Sequence, residues 1–157
     1  MEVEMQVAGQ DLQYDIHEQL FFDIETVFGE LGTHPGQLSW WYSLLAFKDE
    51  ELNNFKVSME GRISQIELEF RGNQTGLVAA YGKVTESVIT AAVNCHTEVL
   101  ELRQKLNELT REAALLKAMT RGMESRTSLM ATASSAQKAE VEARLRATIK
   151  QTQKASK

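Results

Sequence analysis

The 157-residue sequence has one proline, one cysteine, three histidines and nine glycines. Cys95 alone cannot form an intrachain disulfide, and one Cys with three His is too few for a zinc cluster built on cysteine pairs. A reducing, cytoplasmic setting fits that usage. No apolar run approaches the roughly 18 residues of a membrane span. The start, MEVEMQVAGQD, lacks the basic opening and apolar core of a signal peptide. The expectation is a soluble intracellular protein without a membrane partner. Scarce Pro and Gly, with plentiful Ala, Leu, Glu, Gln and Lys, favour helix, because these side chains lose little rotamer freedom there.

The net charge of -5 conceals a division. Residues 1–60 carry 12 Asp or Glu against two Lys, a net of -10, whereas residues 61–157 carry 15 Lys or Arg against 10 Glu, a net of +5. From Arg103 onward the net is +7. An acidic front joined to a basic back points to separate tasks, an anion-binding part and a part that repels nucleic acid or attracts a basic partner.

Apolar spacing sets the expected elements. Leu12, Ile16, Leu20, Ile24, Val27 and Leu31 recur every three or four residues, with Asp11, Asp15, Glu18, Glu25 and Glu30 among them, which predicts an acidic amphipathic helix. Gly32 to Pro35 should break it, with Thr33 or His34 as N-cap and Pro35 near the first position of the next helix. Trp41, Leu45, Leu52, Phe55, Met59, Ile63, Ile66 and Phe70 form a heptad-like stripe interrupted only at Lys48, so that helix should run to about Arg71. Gly72 to Gly82 reads as a loop with a short turn around Leu77 to Tyr81. Helix should resume after Thr85 as N-cap, with Glu86 in its first turn. Around Cys95 to Thr97 the pattern allows either a break, with Thr97 and Glu98 as a new cap, or continuous helix. A third long helix carries Val99, Leu102, Leu106, Leu109, Ala113, Leu116 and Met123 and should end between Met130 and Ser135.

Two apolar stripes of about 30 residues, each about 45 Å long, fit an antiparallel helical hairpin. The fold class is therefore all-α: a long hairpin with an N-terminal acidic helix and a short connecting helix, oligomeric. Residues 1–131 are expected to form a single all-helical domain. Residues 132–157, with six basic residues against two Glu, read as a basic tail, partly helical or flexible, that orders on contact.

A catalytic constellation is missing from the pattern. His17 falls on the polar side of the acidic helix, His34 in a turn and His96 at a helix junction, none with a metal-pairing partner at i+3 or i+4, and no Gly-rich phosphate loop is present. Cys95, flanked by Val93 and Val99, reads as a small core residue. No enzyme, cofactor or metal is expected. The basic residues are more informative. Arg103, Lys117 and Arg121 lie within about 40° of one another along about 27 Å of helix, with Arg111 about 80° away. Such a line can meet the phosphates of a nucleic-acid backbone. The alternative is that Arg103, Lys105 and Lys117 pair with Glu98, Glu101 and Glu112 on their own helix. Charge alone does not choose between them. Arg71 and Lys83, with Asn73, Gln74 and Tyr81, form a second cluster at the inter-helix loop, where a stacking aromatic beside cations would suit unspecific single-strand binding. Trp40 and Tyr42 read as anchors for packing or a subunit contact, and Trp41 as the start of the core stripe. Phe21, Phe22 and Phe28, like Trp40, Leu44 and Phe47, lie off the main stripes. A monomeric hairpin cannot cover both sets, so self-association is expected, which would multiply the basic stripe.

Val84 to Val93, Glu98-Val99-Leu100, Leu106, the run Leu116 to Met123 and Leu129-Met130, together with His34-Pro35, Trp41 and Glu67 to Gly72, resemble the UvsY-type recombination mediators of tailed phages over about residues 12–130. The resemblance implies a small, all-helical, ring-forming homo-oligomer in the host cytoplasm. It implies binding of single-stranded DNA and contacts with a recombinase and a single-strand-binding protein, which the mediator helps the recombinase replace without hydrolysing ATP. On this resemblance Arg71, Lys117 and Arg121 are the DNA-contact positions; Arg103 comes from the helix-face argument, and Lys83 from the loop cluster. Members of that family are basic overall whereas this chain is acidic, which confines the expected DNA contact to the basic back. Two other functions stay open on the residues alone: a helical phage assembly or interaction protein without DNA affinity, and an inhibitor whose acidic helix mimics nucleic acid.

Overall fold

The computed structural model describes residues 2–7, 9–23 and 27–155, with side chains at all of these except 3, 28 and 151–155. The elements, in order, are β1 (Glu2–Val7), β2 (Gln10–Asp15), α1 (Ile16–Leu20), α2 (Val27–Gly72), α3 (Thr75–Tyr81), α4 (Glu86–Cys95) and α5 (Thr97–Ala155). The chain is predominantly α-helical, with side-chain bonds between α2 and α5 at Arg126, Lys48 and Arg62. It divides into two compact units, one of Met1–Leu44 with Leu116–Lys157, the other of Leu45–Leu115.

In the first unit the expected acidic helix is replaced at its start by a β-hairpin. β1 and β2 pair antiparallel, with Met5 opposite Leu12 and Val7 opposite Gln10. Gly9 in the turn has φ +76°, a left-handed conformation that glycine adopts without strain. Met5 and Val7 are buried while Glu4 and Gln6 face solvent. That alternation, with Leu12 and Tyr14 half-buried on β2, is the period-2 pattern of a half-buried strand, and it overrides the weaker spacing of four that links Leu12, Ile16 and Leu20. Among the described residues between β2 and α2, helix is limited to the single turn α1, where the Asp15 carboxylate accepts the His17 N–H at 2.7 Å. Ile24 and Glu25, and the side chain of Phe28, lie outside the described residues.

The expected break at Gly32 to Pro35 is also absent, since α2 runs through it. Pro35 forfeits a backbone bond there, a cost of about 3 kcal/mol in a helix interior. His34, rather than capping a turn, is buried and bonded to α5. Its Nδ1 accepts from Arg126 Nη1 at 2.8 Å, and its Nε2 lies 2.8 Å from Thr127 Oγ1 and 3.1 Å from the Met123 carbonyl. The Arg126 guanidinium also donates to the Glu30 carboxylate, to Gln37 Oε1 at 3.3 Å and to the Phe21 carbonyl at 3.0 Å. It lies 5.9 Å from the centre of the Phe22 ring. Only an unbroken helix puts Glu30, His34 and Gln37 on one face at spacings of four and three. Trp41 is fully buried and packs with Trp40 and with Tyr14 of β2, at centroid distances of 5.0 and 4.7 Å. Leu20 rests on Gly122, where a Cβ would come within 2.9 Å of its Cδ2.

The second unit follows the expected stripe. Leu52, Leu109 and Ala113 form one buried cluster with Phe55 and Leu106 against it. Ile66, Leu77, Ile89, Val93 and Val99 form another, with Ile63, Phe70, Val84, Val88 and Ala92 packed around them. Lys48, the one polar residue in the α2 stripe, is buried and bonded to Glu51 at 2.8 Å and to Glu112 of α5 at 2.9 Å. Thr75–Tyr81, expected as loop with a short turn, form the helix α3 because Leu77 packs into this core; it closes at Gly82, with φ +71°, whose N–H donates to the Val78 carbonyl at 2.8 Å. Thr85 caps α4, and His96 in extended conformation separates α4 from α5, so the break is the form the junction takes. Cys95, expected in the core, is exposed; Val93 and Val99 on either side take the buried positions instead.

α5 does not end between Met130 and Ser135 but continues to Ala155. After Gly122 it meets no Gly or Pro, it is Ala-rich, and Glu140–Arg144 and Glu142–Arg146 pairs at i,i+4 support it.

Truncation of either buried cation should be costly. Removing one partner of a buried pair costs about 3–5 kcal/mol, and Arg126→Ala, which strands His34 and Glu30 together, is expected near the lower end of that range because Glu30 is partly solvated. Lys48→Ala should cost less, about 2 kcal/mol, since Glu51 reaches water. Urea denaturation of each variant measures both, and a loss below about 0.5 kcal/mol for Arg126→Ala, the level of a surface substitution, would contradict the role given to it.

Candidate nucleic-acid interface

The two halves of the basic back differ once their partners are known. Arg71, in the last turn of α2, grips Glu86 at the start of α4 with two bonds of 2.7 and 2.8 Å, and Glu67 one turn back at 2.7 and 3.2 Å. Its pKa is pushed up, first by the hydrogen bonds to Glu86 and then by those to Glu67. Two carboxylates therefore offset this charge, and the residue clamps α4 to the end of α2. Lys83 is exposed in the turn between α3 and α4, and its backbone N–H donates to the carbonyl of Tyr81, which is also exposed, at 2.8 Å. No ion pair engages Lys83 among the described residues. Arg103 reaches back from α5 to α4, donating to Asn94 Oδ1 at 2.6 Å. A neutral acceptor orients its guanidinium and leaves its charge uncompensated. Lys117 and Arg121 belong to the first unit, exposed one turn apart on α5 and without an ion pair among the described residues.

The pairs that the charge pattern allows along α5 itself are not the ones that form among the described residues. Glu98 is held by Arg62 of α2 in a two-bond contact of 2.6 and 2.8 Å, and Glu112 by Lys48. Among the described residues neither carboxylate is paired with Arg103 or Lys117, and Glu101 forms no ion pair with Arg103 or Lys105. Lys105 meets Glu108 only at 4.0 Å. The structure groups Arg71, Lys83 and Arg103 in the second unit, and Lys117 with Arg121 in the first.

Sequence reasoning missed the inward use of Arg126 and Lys48, each counted only as surface charge or stripe defect. The signal was available. Lys48 stands on the α2 core face between Leu45 and Leu52, and Arg126 stands three residues from Met123 and four from Met130, both fully buried. A cation at a core position of a heptad needs a carboxylate from the facing helix.

Among the described residues no group of three or more His, Cys, Asp or Glu is placed to hold a metal, and no helix is long and apolar enough to cross a membrane. The architecture is that of a helical protein whose long helices are clasped antiparallel in each unit, with cations left on the outside of α5. Neither a family model nor a curated protein matches the sequence. Among solved structures, the fold is similar to the crystal structure of the bacteriophage T4 recombination mediator protein UvsY, with a TM-score of 0.66 over 80% of this chain and 92% of that chain, at 10% identity. What is shared at that identity is the fold.

The Arg62–Glu98 contact makes an acid prediction. Hydrogen bonds from Arg62 hold the Glu98 carboxyl below its ordinary value of 4.5, and the His17 N–H does the same for Asp15 below 3.8. For a depressed carboxylate the stabilisation is complete above the unfolded value and is lost as pH falls through the folded one. Stability should therefore fall below about pH 4.5, and Glu98→Gln should lower stability at pH 7 while flattening that fall, as read by chemical denaturation across pH 2 to 7. An unchanged slope would show that Glu98 does not carry it.

Proposed function

We propose that the chain is a non-enzymatic phage recombination mediator that binds single-stranded DNA as a homo-oligomer, in a ring, and promotes loading of a recombinase in place of single-strand-binding protein. The observation that carries this reading is the fold likeness to a recombination mediator along nearly all of that protein's length. The uncompensated cations Lys117 and Arg121, with Arg103 and Lys83, support it. Each such cation can neutralise a phosphate and release its counterion. Arg71 belongs to the proposed contact set with a smaller share, because a phosphate must displace Glu86 or Glu67 to reach it. Self-association is supported by apolar side chains left exposed, among them Phe21, Phe47 and the Val141, Leu145 and Ile149 stripe of α5. Several weakly basic protomers on one strand bind far more tightly than one. In this reading residues 1–131 form the working domain, and the α5 extension beyond it serves assembly.

A second reading, a helical assembly protein without DNA affinity, is favoured by the same α5 stripe, which is apolar and unpartnered. Anisotropy of a fluorescent oligonucleotide, combined with mass measurement with and without DNA, separates the two. With four free cations per protomer and a single-strand coefficient of about -0.7 per phosphate, the logarithm of the binding constant should fall with log salt by about 3 per engaged protomer. Lys117→Glu with Arg121→Glu should roughly halve that slope and weaken binding at least tenfold. Oligomerisation with no DNA binding at low salt would establish the second reading and sink the first.

A further inference from the structure

The second unit contains a cleft that neither its core nor its ion pairs explain. It has a volume of about 430 Å³ and is lined by Ile66, Glu69, Phe70, Gly72, Asn73 and His96. That is at the lower end of the range for small-molecule sites. The aromatic walls, Phe70 and His96, stand 5.9 Å apart between centroids with their planes at 80°. Two rings at right angles make a corner: a flat ring that stacks on one presents its edge to the other. Ile66 supplies an apolar floor. The polar groups are few and not used up. His96 Nδ1 is buried with no hydrogen-bond partner. Glu69 binds Arg62 through Oε1 alone, at 3.3 Å, leaving Oε2 unengaged. Asn73 keeps its side-chain amide, since only its backbone N–H is spent, on the Glu69 carbonyl at 3.0 Å.

The protein itself screens His96 Nδ1 from solvent, so the polar groups left for a ligand in the cleft are Glu69 Oε2 and the Asn73 amide. The ligand that meets all of these features is planar and aromatic, with hydrogen-bonding groups on its edge and no negative charge there, because Glu69 would repel one. We infer that the cleft is a nucleobase pocket that takes one unpaired base of a single strand, the sugar and phosphates remaining outside. This rests on the single-strand reading above and deepens it: phosphate contacts hold the strand, and the pocket selects which base enters. The Glu69 carboxylate accepts from exocyclic amino groups, as acidic side chains do from cytosine N4. Thymine has no amino group and offers the carboxylate only its N3–H, flanked on both sides by carbonyls that a carboxylate repels. The pocket therefore prefers bases with an exocyclic amino group, cytosine, adenine and guanine, to thymine.

The test uses the full chain and three fluorescent strands of equal length: oligo-dC, oligo-dT and an abasic strand of the same charge. Oligo-dC should bind about fivefold more tightly than oligo-dT, and the abasic strand more weakly than either, a discrimination in keeping with one partly exposed base contact. Glu69→Gln, at an exposed carboxylate whose loss leaves the Arg62–Glu98 contact in place, should abolish the dC preference. His96→Ala, which removes one aromatic wall, should weaken binding of oligo-dC and oligo-dT toward that of the abasic strand. Equal binding of all three strands would overturn the pocket while leaving phosphate binding intact. If no strand binds at low salt the mediator reading fails, and deoxycytidine and thymidine titrated separately against the His96 ring resonances decide the pocket alone. Shifts selective for deoxycytidine uphold it; no shift, or shifts seen only on raising the protein concentration, overturn it, the latter by assigning the cleft to a second copy of the chain.

Discussion

Two long helices with continuous apolar seams can slide past one another by a heptad and bury nearly the same area, so hydrophobic burial alone does not fix their register. In this protein the register is fixed by cations placed in the seams. Arg126 of α5 reaches Glu30, His34 and Gln37 of α2. Lys48 of α2 reaches Glu112 of α5, and Arg62 of α2 reaches Glu98. Buried or half-buried pairs of this kind add little net stability over a well-packed apolar contact, because desolvation cancels most of the attraction. Their effect is on alternatives: shifting the helices by one heptad in either unit would leave a guanidinium or an ammonium without its acceptors, a cost of several kcal/mol.

That constraint also sorts the surface charge. A carboxylate used across the seam is lost to its own helix, and a cation used across it is lost to ligands. Glu98 and Glu112 are spent on α2, which leaves Arg103 and Lys117 uncompensated. Arg126 is spent on Glu30 and His34, so the basic count of the back overstates what a polyanion can meet. The acidic front is altered in the same way, since Glu30 is neutralised internally while Glu2, Glu4, Asp11 and Glu18 stay exposed along the hairpin and α1. The division read from the sequence survives in the exposed charges, but the cations able to act are fewer and more localised than the net of +5 implies.

Spacing made the second unit legible. Its stripe from Leu45 to Phe70 and the cap at Thr85 are local signals, and local signals decide caps and long amphipathic helices, whereas the junction at His96 was open to either form. The first unit was less so because competing local signals there are settled by distant residues. Leu12, Ile16 and Leu20 satisfy a helical period, yet Met5 and Val7 alternate with Glu4 and Gln6 at a period of two, and the pairing of the two segments makes the strand win. Gly32 to Pro35 carries the marks of a helix break, and in isolation would be one. His34 is held by residues of α5 some ninety positions away, a contact that no window around Pro35 contains. The cleft beside Phe70 was illegible for the same reason. Phe70 was read as core and His96 as a junction, and only the folded unit sets their rings at right angles. The proposed contact residues Arg103, Lys117 and Arg121 come from one helix face and Lys83 from the loop cluster, but that Glu98 and Glu112 pair with Arg62 and Lys48 of α2 was not visible in either.

The α5 extension shows what the clasped seams do not supply. Beyond Gln137 every described side chain is exposed, including Val141, Leu145 and Ile149 at intervals of four. An isolated helix of this length is marginal even when rich in Ala, because its nucleation and fraying are opposed only by propensity and i,i+4 pairs. Here it is nucleated by the packed part of α5, so each added turn extends an existing helix at no nucleation cost. Extension of this kind holds an apolar stripe in a defined direction away from the unit that anchors it. A flexible tail of the same composition would lose that orientation and would have to recover the ordering entropy on each contact. Continuity of α5 therefore turns a sequence that reads as a soft tail into a preorganised surface, and it does so with no residue that a motif would identify.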